Sequence, residues 1–250
     1  MNLHNRVFIV TGGNGGIGLA LARGVGRAGA QVAIWARSSD RNAEAVEQLA
    51  TEGIDAFAIL CDTTSEDGVE RATQATIERT GRIDGVFANA GIASAAPFLD
   101  TSLGDWRHVV RTNLDGTFLT TRAVAQRLVE QGEGGSIIVV SSMVSRYGAA
   151  TQAAYATTKT GLIGLGRSLA VEFARDRIRV NVLIPGWTET GMNATLRQSQ
   201  KFMDATTSRT PIRRWGQPED FEGVAAFLAD PELIYHTGNE VVVDGGYSIF

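Results

Sequence analysis

Tyr155-Ala156-Thr157-Thr158-Lys159 sets a phenol and an ammonium four residues apart. On a helix those side chains share one face. A free tyrosine has a pKa of about 10 and is a poor base near neutrality. A neighbouring lysine cation, and the positive ring of an oxidised nicotinamide, favour its phenolate. The pair is therefore suited to exchanging a proton with an alcohol or carbonyl oxygen. Upstream, the apolar run Ile137 to Val140 ends at Ser141-Ser142, and Ser142 precedes Tyr155 by thirteen residues. A hydroxyl at that strand end can hydrogen-bond a substrate oxygen. Ser141, Ser142 and Ser145 compete for the role, and local turn chemistry competes with all three.

Two asparagines accompany this group. Asn89-Ala90-Gly91 follows another apolar run, and an asparagine amide there can clamp adjacent loops. Asn113 falls inside the helical stretch Leu103 to Val129, where asparagine is unfavourable. It predicts a local kink that exposes a carbonyl to water; a solvated surface side chain is the alternative.

A second constellation sits near the N-terminus. The run Val7 to Val10 leads into Thr11-Gly12-Gly13-Asn14-Gly15-Gly16-Ile17-Gly18 and then a helix. Gly13, Gly15 and Gly18 fit G-x-G-x-x-G, while Gly12, Gly16 and Gly18 fit T-G-x-x-x-G-x-G. The strand-turn-helix context makes this a phosphate cradle, because glycines admit a pyrophosphate to the backbone and the helix start offers free N–H groups. The next strand ends Ala36-Arg37-Ser38, where NAD-binding chains usually place an acid for the ribose 2′-hydroxyl. A guanidinium can instead pair with a 2′-phosphate. Arg37 thus predicts NADP as the preferred cofactor, with NAD as the alternative; stacking on adenine or pointing to solvent is its competing role. Asp62, at the end of the third strand, can accept from an adenine amino group or serve as a turn or cap residue.

The elements that must position these groups are readable as a rhythm. Short β-branched runs at Val7 to Val10, Val32 to Trp35, Ala56 to Leu60, Val86 to Ala88, Ile137 to Val140, Val180 to Ile184 and Val241 to Val243 alternate with helix-like stretches. Runs apolar on both faces are what helix-covered parallel strands require. The pattern predicts an α/β chain, a Rossmann-type doubly wound parallel sheet of about seven strands in one domain, 1–250. Leu162, Leu165, Leu169 and Phe173 form a helical stripe. Residues 187–215 break the rhythm after a strand end and are read as a substrate lid. A net charge of −4 gives no electrostatic reason to bind nucleic acid or an anionic membrane. No apolar run reaches membrane-span length, no signal-like segment precedes the first strand, and Cys61 is the only cysteine. A cytoplasmic protein acting on a small molecule is expected.

Taken in order, these residues resemble the short-chain dehydrogenase/reductase family over nearly the whole chain. The resemblance rests on Thr11-Gly12, Gly16 and Gly18; Asp62; Asn89-Ala90-Gly91; Asn113, Ser142, Tyr155 and Lys159; Asn181, Pro185-Gly186 and Thr188; and Asp244-Gly245-Gly246. It implies that Tyr155 is the acid/base and that Lys159 binds the nicotinamide ribose and lowers the tyrosine pKa. It further implies that Ser142 orients the substrate oxygen, that Asn113 holds a relay water, and that Thr188 contacts the carboxamide. It also implies a homotetramer built on the helices carrying Asn113 and Tyr155, with the leucine stripe as one candidate surface. One departure stands out: NADP-using members often carry a basic residue in the glycine turn, where this chain has Asn14-Gly15. The expected activity is an NADPH-dependent ketone or 3-oxoacyl-like reductase. An NAD-dependent sugar or polyol dehydrogenase is the alternative, and a non-catalytic cofactor-binding regulator a third reading. Ala95, Pro97, Phe98, Trp187, Met192, Phe202 and Met203 lean towards a hydrophobic ketone.

Overall fold

Each of the seven β-branched runs becomes a strand in a computed structural model that describes residues 1–250. The strands are β1 (Val7–Thr11), β2 (Gln31–Ala36), β3 (Ala56–Leu60), β4 (Gly85–Ala88), β5 (Gly135–Val140), β6 (Ile178–Pro185) and β7 (Glu240–Val243). They form one sheet in the order β3-β2-β1-β4-β5-β6-β7, parallel throughout. The helices are α1 (Gly16–Arg27), α2 (Ser39–Thr51), α3 (Glu66–Thr80), α4 (Leu103–Val110), α5 (Gly116–Gln131), α6 (Ala153–Glu172), α7 (Ala194–Arg197), α8 (Gln200–Arg209) and α9 (Glu222–Ala229). None is long and apolar enough to cross a membrane.

Alternate strand residues point to opposite faces, and the two faces carry separate cores. Ile9, Trp35, Val86, Ile137 and Val180 pack with Val69 of α3, Val124 and Leu128 of α5 and Leu162 of α6. Phe8, Val10, Ile34, Phe87, Ile138 and Leu183 pack with Leu21 and Val25 of α1, Leu49 of α2 and Leu228 of α9. Leu165, Leu169 and Phe173 lie against the first core, so the leucine stripe of α6 faces inward. Apolarity on both faces lapses at the sheet edges: Leu60 of β3 and Val242 of β7 are exposed.

The stretch Leu103 to Val129 breaks where Asn113 stands. α4 and α5 are joined by a π-helical turn, Arg111–Asp115, a wider winding that commonly marks functional positions. Residues 187–215 are more ordered than their weak periodicity suggests. They contain α7 and α8, and Trp187 stacks on Trp215 with ring centroids 5.2 Å apart, joining the two ends of the segment.

Candidate active site

Strand order reverses between β1 and β4, and ligands in such sheets bind beyond the carboxyl ends of the strands at that point. A cleft of about 490 Å³ opens there. Its floor at one end is the glycine turn. Gly12 and Gly16 have φ of +65° and +53°, values that suit glycine. A Cβ on Gly18 would lie 2.2 Å from the Gly12 carbonyl oxygen. The turn therefore uses the spacing Gly12, Gly16, Gly18; the G-x-G-x-x-G match through Gly13 and Gly15 is incidental. Asn14 donates from Nδ2 to Asn42 Oδ1 at 2.8 Å and so ties the turn to α2.

The clamp expected of Asn89 is present. Its Nδ2 donates to the Thr11 carbonyl at 3.0 Å, and Thr11 Oγ1 accepts from the N–H groups of Asn89 and Ala90 at 3.0 and 2.9 Å. The ends of β1 and β4 are locked together, and Thr11 contributes as much as Asn89.

Further along the cleft stand Arg37 and Asp62. Asp62 Oδ1 accepts from the Thr64 N–H and hydroxyl, while Ser65 caps α3. Asp62 is a turn residue that also lines the cleft. Burial pushes its carboxyl up, but the Thr64 bonds and then the Arg37 and Arg111 charges outweigh this and hold it low.

At the other end the three serines separate. Ser141 Oγ donates to the Lys159 carbonyl at 2.7 Å, and Ser145 Oγ donates to the Ser142 carbonyl at 2.6 Å. Ser142 alone keeps its hydroxyl unspent on the backbone, and it lines the cleft close enough to Tyr155 to favour the phenolate. Lys159 is buried, with Nζ donating to the Val140 carbonyl at 2.8 Å and lying 5.7 Å from the centre of the Tyr155 ring. Burial lowers the lysine pKa to about 8. Burial raises that of Tyr155, and the group opposing the rise is Ser142, not the lysine expected from the sequence.

Asn113 is fully buried, which excludes a surface side chain. Its Oδ1 accepts from the Ile92 N–H at 2.9 Å, and its Nδ2 donates to the Ile92 carbonyl at 2.9 Å and to Thr158 Oγ1 at 3.1 Å. Its own carbonyl, expected to be free for water, accepts from the Thr117 hydroxyl at 2.8 Å. Of the four proposed catalytic residues, Asn113 alone stands behind the cleft wall. Gly12, Asn14, Gly16, Ile17, Gly18, Arg37, Asp62, Asn89, Gly91, Ser142, Tyr155, Lys159, Pro185, Gly186 and Thr188 all line it. Asn181 does not: it accepts from the Asn239 N–H and donates to the His236 carbonyl, fastening the chain before β7.

The substrate end is lined by Ala93, Met143, Val144, Gln152, Trp187 and Met192. Phe202 meets Trp187 edge-on at 5.2 Å within residues 187–215. Phe202, Met203, Ala95, Pro97 and Phe98 do not line the cleft, so the lean towards a hydrophobic ketone loses most of its support. Gln152 and Arg41 line it instead, and neither had drawn notice in the sequence. Gln152 caps the start of α6, three residues before Tyr155, and its amide has no hydrogen-bond partner in the protein. The preceding Thr151 has φ +68°, and its carbonyl accepts from Ala96 N–H at 3.0 Å.

An extended dinucleotide fits this arrangement. The cradle closes to any Cβ at Gly18, two cations stand where a second ribose would lie, and the hydroxyl pair stands at the far end. Comparison with known proteins agrees. The family model described as enoyl-(acyl carrier protein) reductase matches residues 12–248. The L-rhamnose 1-dehydrogenase (NAD(P)(+)) of Azotobacter vinelandii is 38% identical, with 98% of each chain covered. The 3-oxoacyl-acyl-carrier-protein reductase of Aquifex aeolicus is 36% identical, again with 98% of each covered. The chain belongs to the short-chain dehydrogenase/reductase family. Two solved structures show how closely this short-chain dehydrogenase/reductase follows the family fold. A short-chain type dehydrogenase/reductase from Mycobacterium marinum superposes with TM-score 0.95 at 34% identity, covering 100% of this chain and 98% of that one. A gluconate 5-dehydrogenase from Burkholderia cenocepacia, in complex with NADP and tartrate, superposes with TM-score 0.94 at 36% identity, covering 99% and 96%. Family members are NAD(P)-dependent oxidoreductases acting on CH–OH or keto groups, and this chain retains the groups such chemistry needs.

Proposed function

We propose that the protein interconverts a secondary alcohol and a ketone with NADP(H), on a small polyhydroxylated substrate of the sugar or sugar-acid class. The observation that carries the reading is that Ser142, Tyr155 and the buried Lys159 line one cleft with the glycine turn. When bound, the nicotinamide supplies the hydride in reduction and accepts it in oxidation. Gly12, Asn14, Gly16, Ile17 and Gly18 would hold the pyrophosphate, Arg37 the 2′-phosphate, and Asp62 with Asn89 and Gly91 the adenosine side. Lys159 would hold the nicotinamide ribose, with Pro185, Gly186 and Thr188 beside the ring. In reduction Tyr155 gives its phenolic proton to the substrate oxygen, and Ser142 donates a hydrogen bond to that same oxygen. The tyrosine is then left anionic in a buried site, where Ser142 and a protonated Lys159 stabilise it. A Cβ at Gly91 would stand 3.2 Å from Asn113 Oδ1 and 3.4 Å from Lys159 Nζ, so Gly91 keeps the lysine accessible.

Two things support a hydroxylated substrate. The free amide of Gln152, at the start of α6, lines the same cleft as Tyr155, where it can bind a hydroxyl next to the reacting carbon. The rhamnose and gluconate enzymes are also among the relatives. The reductase of 3-oxoacyl chains stays as the second reading, favoured by the Aquifex aeolicus relative. An absorbance assay of NADPH and NADH against sugars, keto-gluconates and 3-oxoacyl thioesters tests both. Turnover confined to acyl thioesters would refute the sugar reading, and a preference for NADH would refute the NADP assignment. A homotetramer is proposed on the outer faces of α5 and α6, where Phe118 is exposed and Gly164 leaves room for a second helix. Light scattering after gel filtration checks it, and a monomer would overturn it.

A further inference from the structure

We propose that Arg41 is the second cation of the 2′-phosphate site and that Gly15 lacks a side chain to make room for it. The inference rests on the NADP reading above. Gly15 is in extended backbone, φ 169° and ψ 166°, a conformation open to any residue, so its backbone does not call for glycine. Space does. A Cβ at Gly15 would lie 2.7 Å from Arg41 Nη2, and the other nearby atom, at 3.9 Å, is Arg41 Cζ. The guanidinium of α2 occupies the ground where a side chain on the glycine turn would stand. That is the place from which related chains present the basic residue that this turn lacks.

Two further features hold Arg41 there. Ser38 caps α2 by accepting from the Arg41 N–H at 3.5 Å. Asn42 donates to the Ala36 carbonyl at 3.1 Å and accepts from Asn14 at 2.8 Å. The glycine turn, the end of β2 and the first turn of α2 are thereby one joined corner. The charge itself asks for a ligand. A cation in the first turn of a helix opposes the helix dipole. Arg37 stands at the same end of the cleft, and neither guanidinium forms an ion pair. A dianion bound there can accept charge-assisted hydrogen bonds from both.

The test is calorimetric binding of adenosine 2′,5′-bisphosphate and adenosine 5′-monophosphate to the full chain. The ratio of their affinities isolates the 2′-phosphate. Wild type is expected to favour the bisphosphate. Arg41→Ala is expected to lose roughly ten-fold or more of that ratio, the range for a hydrogen bond to a charged group, with monophosphate binding unchanged as the check on folding. Gly15→Arg added to Arg41→Ala is expected to restore the ratio, and added to wild type to raise nothing. Should Arg41→Ala keep the wild-type ratio while Arg37→Ala abolishes it, the role of Arg41 falls and the NADP reading stands. Should wild type show no preference, the NADP reading falls first. A double variant no better than Arg41→Ala overturns the exchange of places between positions 15 and 41.

Discussion

Replacing Lys159 with methionine should remove activity and change how the stability of the cofactor-free protein depends on pH, with wild type gaining on the variant as pH rises. Lys159 is 4% exposed, and its ammonium has only the Val140 carbonyl as partner. Burial brings its pKa from 10.5 down to about 8. The unfolded chain therefore binds the proton more tightly than the folded one. Stability rises with pH wherever the unfolded state holds more protons, here between about 8 and 10.5. Below that window the folded protein bears the whole cost of a buried ammonium, about 3 kcal/mol at 1.36 kcal/mol per pH unit. Above it the cost is gone. Methionine never carries it, and its unpaired Val140 carbonyl gives a penalty of about 1–3 kcal/mol that does not titrate. The offset between the two proteins thus depends on packing, but its slope does not. Urea unfolding of both, without cofactor, should show wild type gaining roughly 2–3 kcal/mol on Lys159→Met between pH 7 and pH 10. A constant difference across that range would refute the reasoning, since it would mean that the ammonium is as well solvated folded as unfolded.

Four other outcomes are expected. Tyr155→Phe should cut kcat by about 10²–10⁴, the span for a lost general acid, with cofactor binding by fluorescence unchanged; wild-type turnover on an active ketone would defeat the mechanism. Gly18→Ala must displace Gly12 O and Asn89 Nδ2, 2.2 and 2.6 Å from the new Cβ. It should cost about 1–3 kcal/mol in thermal unfolding, as overpacking does, and weaken NADPH at least as measured by KM; an unchanged KM would mean the cradle is not the phosphate site. Asn113→Leu strands the N–H and carbonyl of Ile92 and should destabilise by roughly 2–5 kcal/mol, which urea unfolding reads directly. Gln152→Leu should raise KM for hydroxylated ketones about ten-fold, the scale of one lost hydrogen bond, while leaving a simple ketone unaffected; equal losses on both would remove Gln152 from substrate recognition.

How far the site could be read beforehand depended on how local each signal is. The strands were readable because burial on both faces writes itself into consecutive residues, as in Ile137 to Val140. The kink at Asn113 was readable because a poor helix former in mid-helix needs a reason. The choice of Ser142 over Ser141 and Ser145 was not, since only the folded chain shows that the other two hydroxyls are spent on backbone carbonyls. Helices α7 and α8 were hidden because they expose most of their surface, which leaves little periodic pattern. Phe202 misled for a related reason: an aromatic in a lid points to the substrate or to its neighbours, and here it points to Trp187 and Trp215.

Gly15 is the instructive case, because the role proposed for Arg41 reverses its sequence meaning. Read along the chain, a glycine where related turns carry a basic residue argues against a 2′-phosphate. Read in space, the absent side chain admits Arg41, twenty-six residues away, to the same ground. The charge belongs to the corner where the turn, β2 and α2 meet, and any of the three segments can supply it. A motif confined to one segment misses a substitution made from another. What identifies the site is the place that is kept cationic, and that place became visible only when the Asn14–Asn42 bond joined the segments.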